Sequence, residues 1–161
     1  MTATLDPSGC EHRLRNLGLQ LPEPPAAVGA YLPWQRLGQI VTTSFQLPWQ
    51  GKTLPFVGVV GRDVSLEQAI EAARLCALNG LAQLRHAADG DLERVRLVRL
   101  DGHVGCAPDF KFIPKVLDGA SELLNAVLGE RGRHARTALG HMVMPLDVPV
   151  MLGFLAEICD D

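Results

Sequence analysis

Gly132-Arg-His-Ala-Arg136-Thr-Ala-Leu-Gly-His141-Met-Val-Met-Pro145-Leu-Asp-Val-Pro-Val150 sets a cation, Arg136, at the entrance of an apolar strand, follows it with a tight turn at Pro145, and resumes with a second apolar run. A charge in that position needs a partner. Guanidinium stays protonated and presents a planar fork of donors, so a carboxylate is its natural complement. That carboxylate belongs either to a bound ligand or to the chain itself, as a structural ion pair with Asp118 or Glu157. The two apolar runs, residues 137–144 and 148–158, read as a closing hairpin.

Working outward, two segments repeat apolar residues at helical spacing. Ser65-Leu-Glu-Gln68 has capping-box spacing. It opens a helix predicted over residues 66–88, with Leu66, Ala69, Ile70, Ala73, Ala77, Leu81 and Leu84 on one side and Asp89-Gly90-Asp91 as its stop. Residues 114–128 form the second helix, burying Val116, Leu117, Ala120, Leu123, Leu124 and Val127. Between them, residues 92–104 read as a strand. The near-alternation of Arg94, Arg96 and Arg99 with Val95, Leu97 and Val98 reads as its solvated face rather than as a basic patch. Upstream, residues 31–37 and 39–46 flank Gly38 as a tight hairpin, and Pro33 puts the first strand at an edge or a bulge.

Residues 1–13 are expected to be a flexible leader, with a short helix over 11–17 stopping at Gly18, and residues 14–161 a single domain. The element order, strand, strand, helix, strand, helix, strand, strand, gives an α+β fold: a mostly antiparallel sheet with two helices packed on one face. The opposite face is also apolar in places, which calls for an oligomer.

Composition narrows the function. With 47% hydrophobic and 20% charged residues, 161 residues make one globular core. A net charge of -3 argues against a protein built to neutralise a phosphate backbone. No charged-then-apolar signal region and no run approaching ~20 apolar residues is present, so a cytoplasmic protein without membrane contact is expected. Cys10, Cys76, Cys106 and Cys159 lie far apart, with neither disulfide-framework nor zinc spacing, and no metal or cofactor is expected. Cys76 reads as a buried small hydrophobe, and His12, His86 and His103 read as surface residues. No histidine pair suited to metal-free phosphodiester cleavage is evident.

The Ala135-Arg-Thr-Ala-Leu-Gly140 to Met144-Pro-Leu146 pattern resembles the signature of the YjgF/RidA family, small trimeric proteins whose best-known members hydrolyse reactive 2-imino acids. The resemblance runs from about residue 14 to 158. Ala27-Val-Gly-Ala-Tyr31 with Leu37-Gly-Gln-Ile-Val-Thr-Thr-Ser44-Phe-Gln-Leu-Pro48 resembles the family's N-terminal hairpin. Asp63-Val-Ser-Leu-Glu-Gln-Ala69 with Ala72 to Asn79 resembles its first helix, in the longer, chorismate-mutase-like branch. Ala107-Pro-Asp-Phe110 and Pro114 to Ser121 resemble the loop and start of its second helix. The resemblance implies a homotrimer with a barrel-like interior and clefts between subunits. It also implies that Arg136 clamps a substrate carboxylate, and that Tyr31, Ser44 and the backbone near Cys106 contact ligand or water.

Four positions depart from the family's common deaminase pattern. Phe45 stands where a glycine follows the hairpin serine, Ala138 where a cysteine follows the arginine, Met151 in place of the last strand's carboxylate, and Asp118 where asparagine is common. Methionine neither deprotonates nor orients water. Either Asp118, Glu122 or His141 takes over that task, or the reaction is not imine hydrolysis. Phe45 and Met151 together predict a narrower, more apolar cleft, suited to dehydration or cyclisation of an imine or aldehyde intermediate. A non-catalytic trimer binding an acidic metabolite is the third reading.

Overall fold

The computed structural model describes residues 9–159. The elements are α1 (Cys10–Asn16), β1 (Trp34–Leu37), β2 (Ile40–Thr43), α2 (Leu66–Ala87), β3 (Val95–Gly105), α3 (Ile113–Leu128), β4 (Ala135–His141) and β5 (Val150–Ile158). The part of the expected leader at residues 1–8 lies outside the described residues. Residues 10–13 belong to the fold, because α1 buries Cys10 and Leu14 in the main core.

The α2 start is as the sequence dictates: the Ser65 hydroxyl accepts from the Gln68 backbone N–H, and the Gln68 side chain accepts from the Ser65 N–H. Ala69, Ala73, Ala77, Leu81 and Leu84 are buried, whereas Leu66 and Ile70 remain partly accessible. The small residues let the helix lie close on the sheet. At Gly80 an added Cβ would stand 2.2 Å from the Phe154 ring, so only glycine fits under that aromatic. Both long helices cover one sheet face, formed by Val95, Leu97, Leu100, Val104, Val150, Leu152, Phe154 and Ala156.

The sheet order is β1-β2-β5-β3-β4. This corrects the closing hairpin. β5 pairs antiparallel with β3 and β2, and β4 pairs with β3 in parallel, Leu100 opposite Arg136 and Gly105 opposite His141. The physical reason is the intervening α3: a strand, a helix and a return to the same sheet make a crossover, which delivers a parallel neighbour. The turn after β4 is not a two-residue reversal. Leu146 and Asp147 both adopt left-handed φ angles, 53° and 54°, and the chain steps past β3 before entering β5. The sheet is therefore mixed, antiparallel except at one edge. Pro33 precedes β1, which is the other edge strand, as its chemistry requires.

A bulge between Leu97 and Arg99 puts Val98 and Arg99 both outward, so the arginine alternation is broken once. Arg96 and Arg99 are exposed on the helix-free face. Cys76 is fully buried, and burial pushes its thiol well above the ordinary value. Among the described residues no helix is long and apolar enough to cross a membrane.

Candidate functional site

Pro114, Asp118 and Ser121 recur at helical spacing along α3 and share the stripe that faces the β4 edge. Arg136 meets all three. Its Nη1 donates to Asp118 Oδ1 at 2.9 Å and to Ser121 Oγ at 3.1 Å, and its Nη2 donates to the Pro114 carbonyl at 3.3 Å. The arginine side chain is 23% exposed and the aspartate 52%. Nε–H and one Nη2 hydrogen keep no partner among the described residues.

The network extends one step further than the sequence reading reached. Ser121 Oγ lies 3.0 Å from His134 Nε2, and His134 Nδ1 lies 2.5 Å from the Gly132 carbonyl oxygen. A carbonyl only accepts, so Nδ1 carries the proton and Nε2 accepts from the serine hydroxyl. Burial pushes His134 below the ordinary histidine pKa, and the Arg136 charge adds to this against the pull of Gly132. The chain Arg136 to Ser121 to neutral His134 to Gly132 thus has one polarity throughout. Of these partners the sequence offers only Asp118; Ser121 enters through the helix register, and His134 through the turn before β4.

Tyr31, Ser44, Phe45 and Met151 gather elsewhere, around a cavity of about 650 Å3 completed by Val28, Leu47, Pro145 and Leu146. Its lining is apolar, as the Phe45 and Met151 substitutions predict. The ring of Phe45 packs onto Gly153, where a Cβ would come within 3.0 Å of it, and sits edge-on to His103 at 4.8 Å. Gly153 thereby gives the ring a seat on the sheet. Ser44 Oγ donates to the Leu32 carbonyl at 2.6 Å, and the Tyr31 hydroxyl accepts from the Val28 N–H at 3.3 Å.

Cys106 and His141 line a second cavity, about 390 Å3, together with Lys111, Phe110, Ile113 and Met142. Burial raises the Cys106 thiol above its ordinary pKa, the opposite of what a nucleophile needs. His141 does not face Arg136. Residues 137, 139 and 141 point to the helix-free side of β4 and residues 136, 138 and 140 to the other. There His141 Nε2 meets His103 Nδ1 at 2.6 Å, with the rings stacked at 4.7 Å. His103 is therefore half-buried, not a surface residue, and a histidine pair does exist. Burial first, then His141, lower the His103 pKa against the opposing pull of Asp101. The pair follows from the parallel β3–β4 register, which the hairpin reading concealed. Glu122 is exposed on α3. Among the described residues no group of three or more His, Cys, Asp or Glu is placed to hold a metal.

A single mixed sheet with two long helices on one face, and an arginine presented from its edge strand, defines an α+β layer of the chorismate-mutase-like kind. Residues 11–158 match the family described as "YjgF/chorismate mutase-like, putative endoribonuclease", and the chain belongs to that family. A protein of unknown function from Agrobacterium tumefaciens is 40% identical, with TM-score 0.85 over 92% of this chain and 91% of that one. A Shewanella oneidensis MR-1 protein, called a putative endoribonuclease, is 38% identical, with TM-score 0.90 over 94% of this chain and 100% of its own. Protein TCP17 of Trypanosoma cruzi is 36% identical over 147 residues, 90% of this chain and 91% of its own length.

Proposed function

We propose that the protein is a cytoplasmic homotrimer acting on a small carboxylate-bearing imine, enamine or carbonyl compound, held through its carboxylate by Arg136. The observation that carries this reading is the way the guanidinium is presented. α3 fixes one part of it through Asp118, Ser121 and Pro114, and two N–H groups remain, enough for a bidentate carboxylate.

Hydrolysis of a 2-iminium acid joins a water oxygen to the imine carbon, carries both water protons by way of a base to the nitrogen, and breaks the C–N bond to release ammonium and a 2-oxo acid. The base must stand beside the carboxylate anchor. Asp118 does: one oxygen holds Arg136, and the other has no partner among the described residues. Met151 has no acid–base chemistry, and His141 is turned to the other face of β4. We therefore read Asp118 as a weak stand-in for the missing carboxylate and expect imine hydrolysis to be slow. The apolar lining of the larger cavity favours the divergent alternative, dehydration or cyclisation of an imine or aldehyde with water excluded.

The histidine pair gives the endoribonuclease description a hearing, yet its geometry works against it. Nitrogens 2.6 Å apart face each other and hold one proton between them, whereas metal-free phosphodiester cleavage needs an acid and a base on two sides of a phosphate.

The deciding experiment generates 2-iminopropanoate or 2-iminobutanoate in situ and follows release of ammonia and 2-oxo acid. The expected wild-type acceleration is weak, raised by Met151→Glu, alone or with Phe45→Gly, and lost with Asp118→Asn. A wild-type rate as high as an efficient deaminase, unchanged by Asp118→Asn, would overturn the reading. An inert wild type with inert variants would leave the protein a binder of acidic metabolites or an enzyme of other chemistry.

A further inference from the structure

The cavity beside Met151 is much larger than a three- or four-carbon imino acid requires. At about 650 Å3 it falls within the roughly 300–1,000 Å3 of pockets that enclose drug-sized ligands. Val28, Phe45, Leu47, Leu146 and Met151 supply its walls, with no charged side chain among the lining residues. Much of that apolar surface is in contact with solvent: Val28 is 64% exposed, Leu146 57% and Phe45 40%. Its two hydroxyls, on Tyr31 and Ser44, are already hydrogen-bonded within the chain.

One wall is held in an unusual backbone state. Leu146 has φ 53° and Asp147 φ 54°, a left-handed region that crowds any residue with a Cβ. The turn is fixed by hydrogen bonds from Gly58 N–H to the Asp147 carbonyl at 2.7 Å and from Val148 N–H to the Pro145 carbonyl at 3.1 Å. A glycine would make the same turn without strain, and would leave the cavity without its leucine.

We infer that this cavity receives the uncharged, apolar end of the substrate, so that the preferred acid carries a side chain larger than ethyl, branched or aromatic. The inference rests on the carboxylate reading of Arg136, which supplies the other end of the molecule. The occupant is a small molecule's tail, which can enter the open cleft between the turn, the hairpin end and β5. Leu146 and Val28 are specificity-determining residues on this view, and Phe45, seated against Gly153, forms the wall at the sheet.

Binding of non-reactive acids to the whole protein, read by calorimetry, tests this apart from any catalysis. The series is propanoate, butanoate, pentanoate, 4-methylpentanoate and 3-phenylpropanoate. Each methylene buried should tighten Kd about fourfold, through to the branched and aromatic members. Leu146→Gly, which relaxes the backbone as it removes the wall, and Val28→Ser, at an exposed position, should flatten the dependence on tail length. A flat wild-type series, as expected if a neighbouring copy fills the cavity, would overturn the inference, and so would a slope that neither variant alters. A steep series in a protein that hydrolyses no imine would sustain it and refute only the proposed hydrolysis.

Discussion

Arg136→Lys separates a ligand clamp from a structural ion pair. Lysine keeps the positive charge, so long-range attraction to an anion is unchanged, but it replaces a planar fork by a point donor. Within the chain the loss is small. The Arg136–Asp118 pair is partly solvated, 23% and 52% exposed, which limits its contribution to about 1 kcal/mol or less. Ser121 keeps its hydrogen bond to His134, and the Pro114 carbonyl, on an exposed residue, turns to water. The melting temperature should therefore fall by no more than roughly 2–4 °C. Ligand binding should suffer more. Two charge-assisted hydrogen bonds reduced to one lose about 1.5–3 kcal/mol, which at tenfold per 1.4 kcal/mol is roughly a 10- to 150-fold weaker Kd. Calorimetry with pyruvate and 2-oxobutyrate, beside a thermal melt of the same samples, measures both. Equal affinity in wild type and variant would show that the arginine serves only Asp118. A collapse in stability with little change in Kd would refute the energetics from the other side.

Sedimentation equilibrium at micromolar concentration should give three times the 17.4 kDa chain mass, and a stable monomer would remove the composite site with the trimer. Asp118→Asn, which keeps the shape of the side chain but removes the carboxylate that fixes Arg136, should weaken pyruvate binding; tighter binding would mean that the aspartate competes with the ligand instead of positioning the arginine. His134 has a folded pKa below its ordinary 6.5, so the unfolded chain binds the proton more readily. Stability should be full above pH 6.5 and decline as pH falls through and below it, with a shallower decline in His134→Gln; identical acid profiles would refute the buried neutral histidine. Gly80→Ala, which sets a Cβ 2.2 Å from the Phe154 ring, should cost about 1–3 kcal/mol by overpacking, and an unchanged melt would show slack between α2 and the sheet.

How much of this the sequence disclosed depends on the range of the forces involved. The α2 cap was legible because Ser65 and Gln68 settle it between themselves within one turn. The buried stripe of α3 was legible for the same reason, its periodicity being local. Strand pairing was not. Nothing in residues 135–158 distinguishes a hairpin from two strands parted by a third, and Leu146 carries no glycine or asparagine signal for its left-handed φ. Only the parallel β3–β4 register brings His103 and His141 together, and no local signal in the sequence announces it. An arginine entering a sheet needs a carboxylate, which makes Asp118 and Glu157 legible as internal partners for Arg136; the structure pairs it with Asp118. Ser121 and His134, being neutral, gave no comparable demand.

The placement of the site residues itself argues for association. Arg136 lies on the helix side of β4, opposite Leu100, whereas Met151 lies on the helix-free side of β5, opposite His103. β3 runs between those strands, so they are two strand spacings apart, roughly 10 Å, and the thickness of the sheet separates the two side chains as well. A three- or four-carbon acid cannot touch both within one chain. The sheet ends, however, carry complementary burdens. On and just past β4, Leu139, Met142 and Val143 are 48%, 79% and 85% exposed, and at the β1–β2 hairpin so are Leu32 at 61% and Leu37 at 85%. These are different surfaces, so burying one against the other is a head-to-tail contact, which repeats until it closes a ring. In the proposed homotrimer, the β4 edge of one copy, with its arginine, would stand against the Tyr31–Met151 cavity of the next. Carboxylate anchor and apolar pocket then meet at each interface, which neither a monomer nor a two-fold dimer joining like edges would achieve.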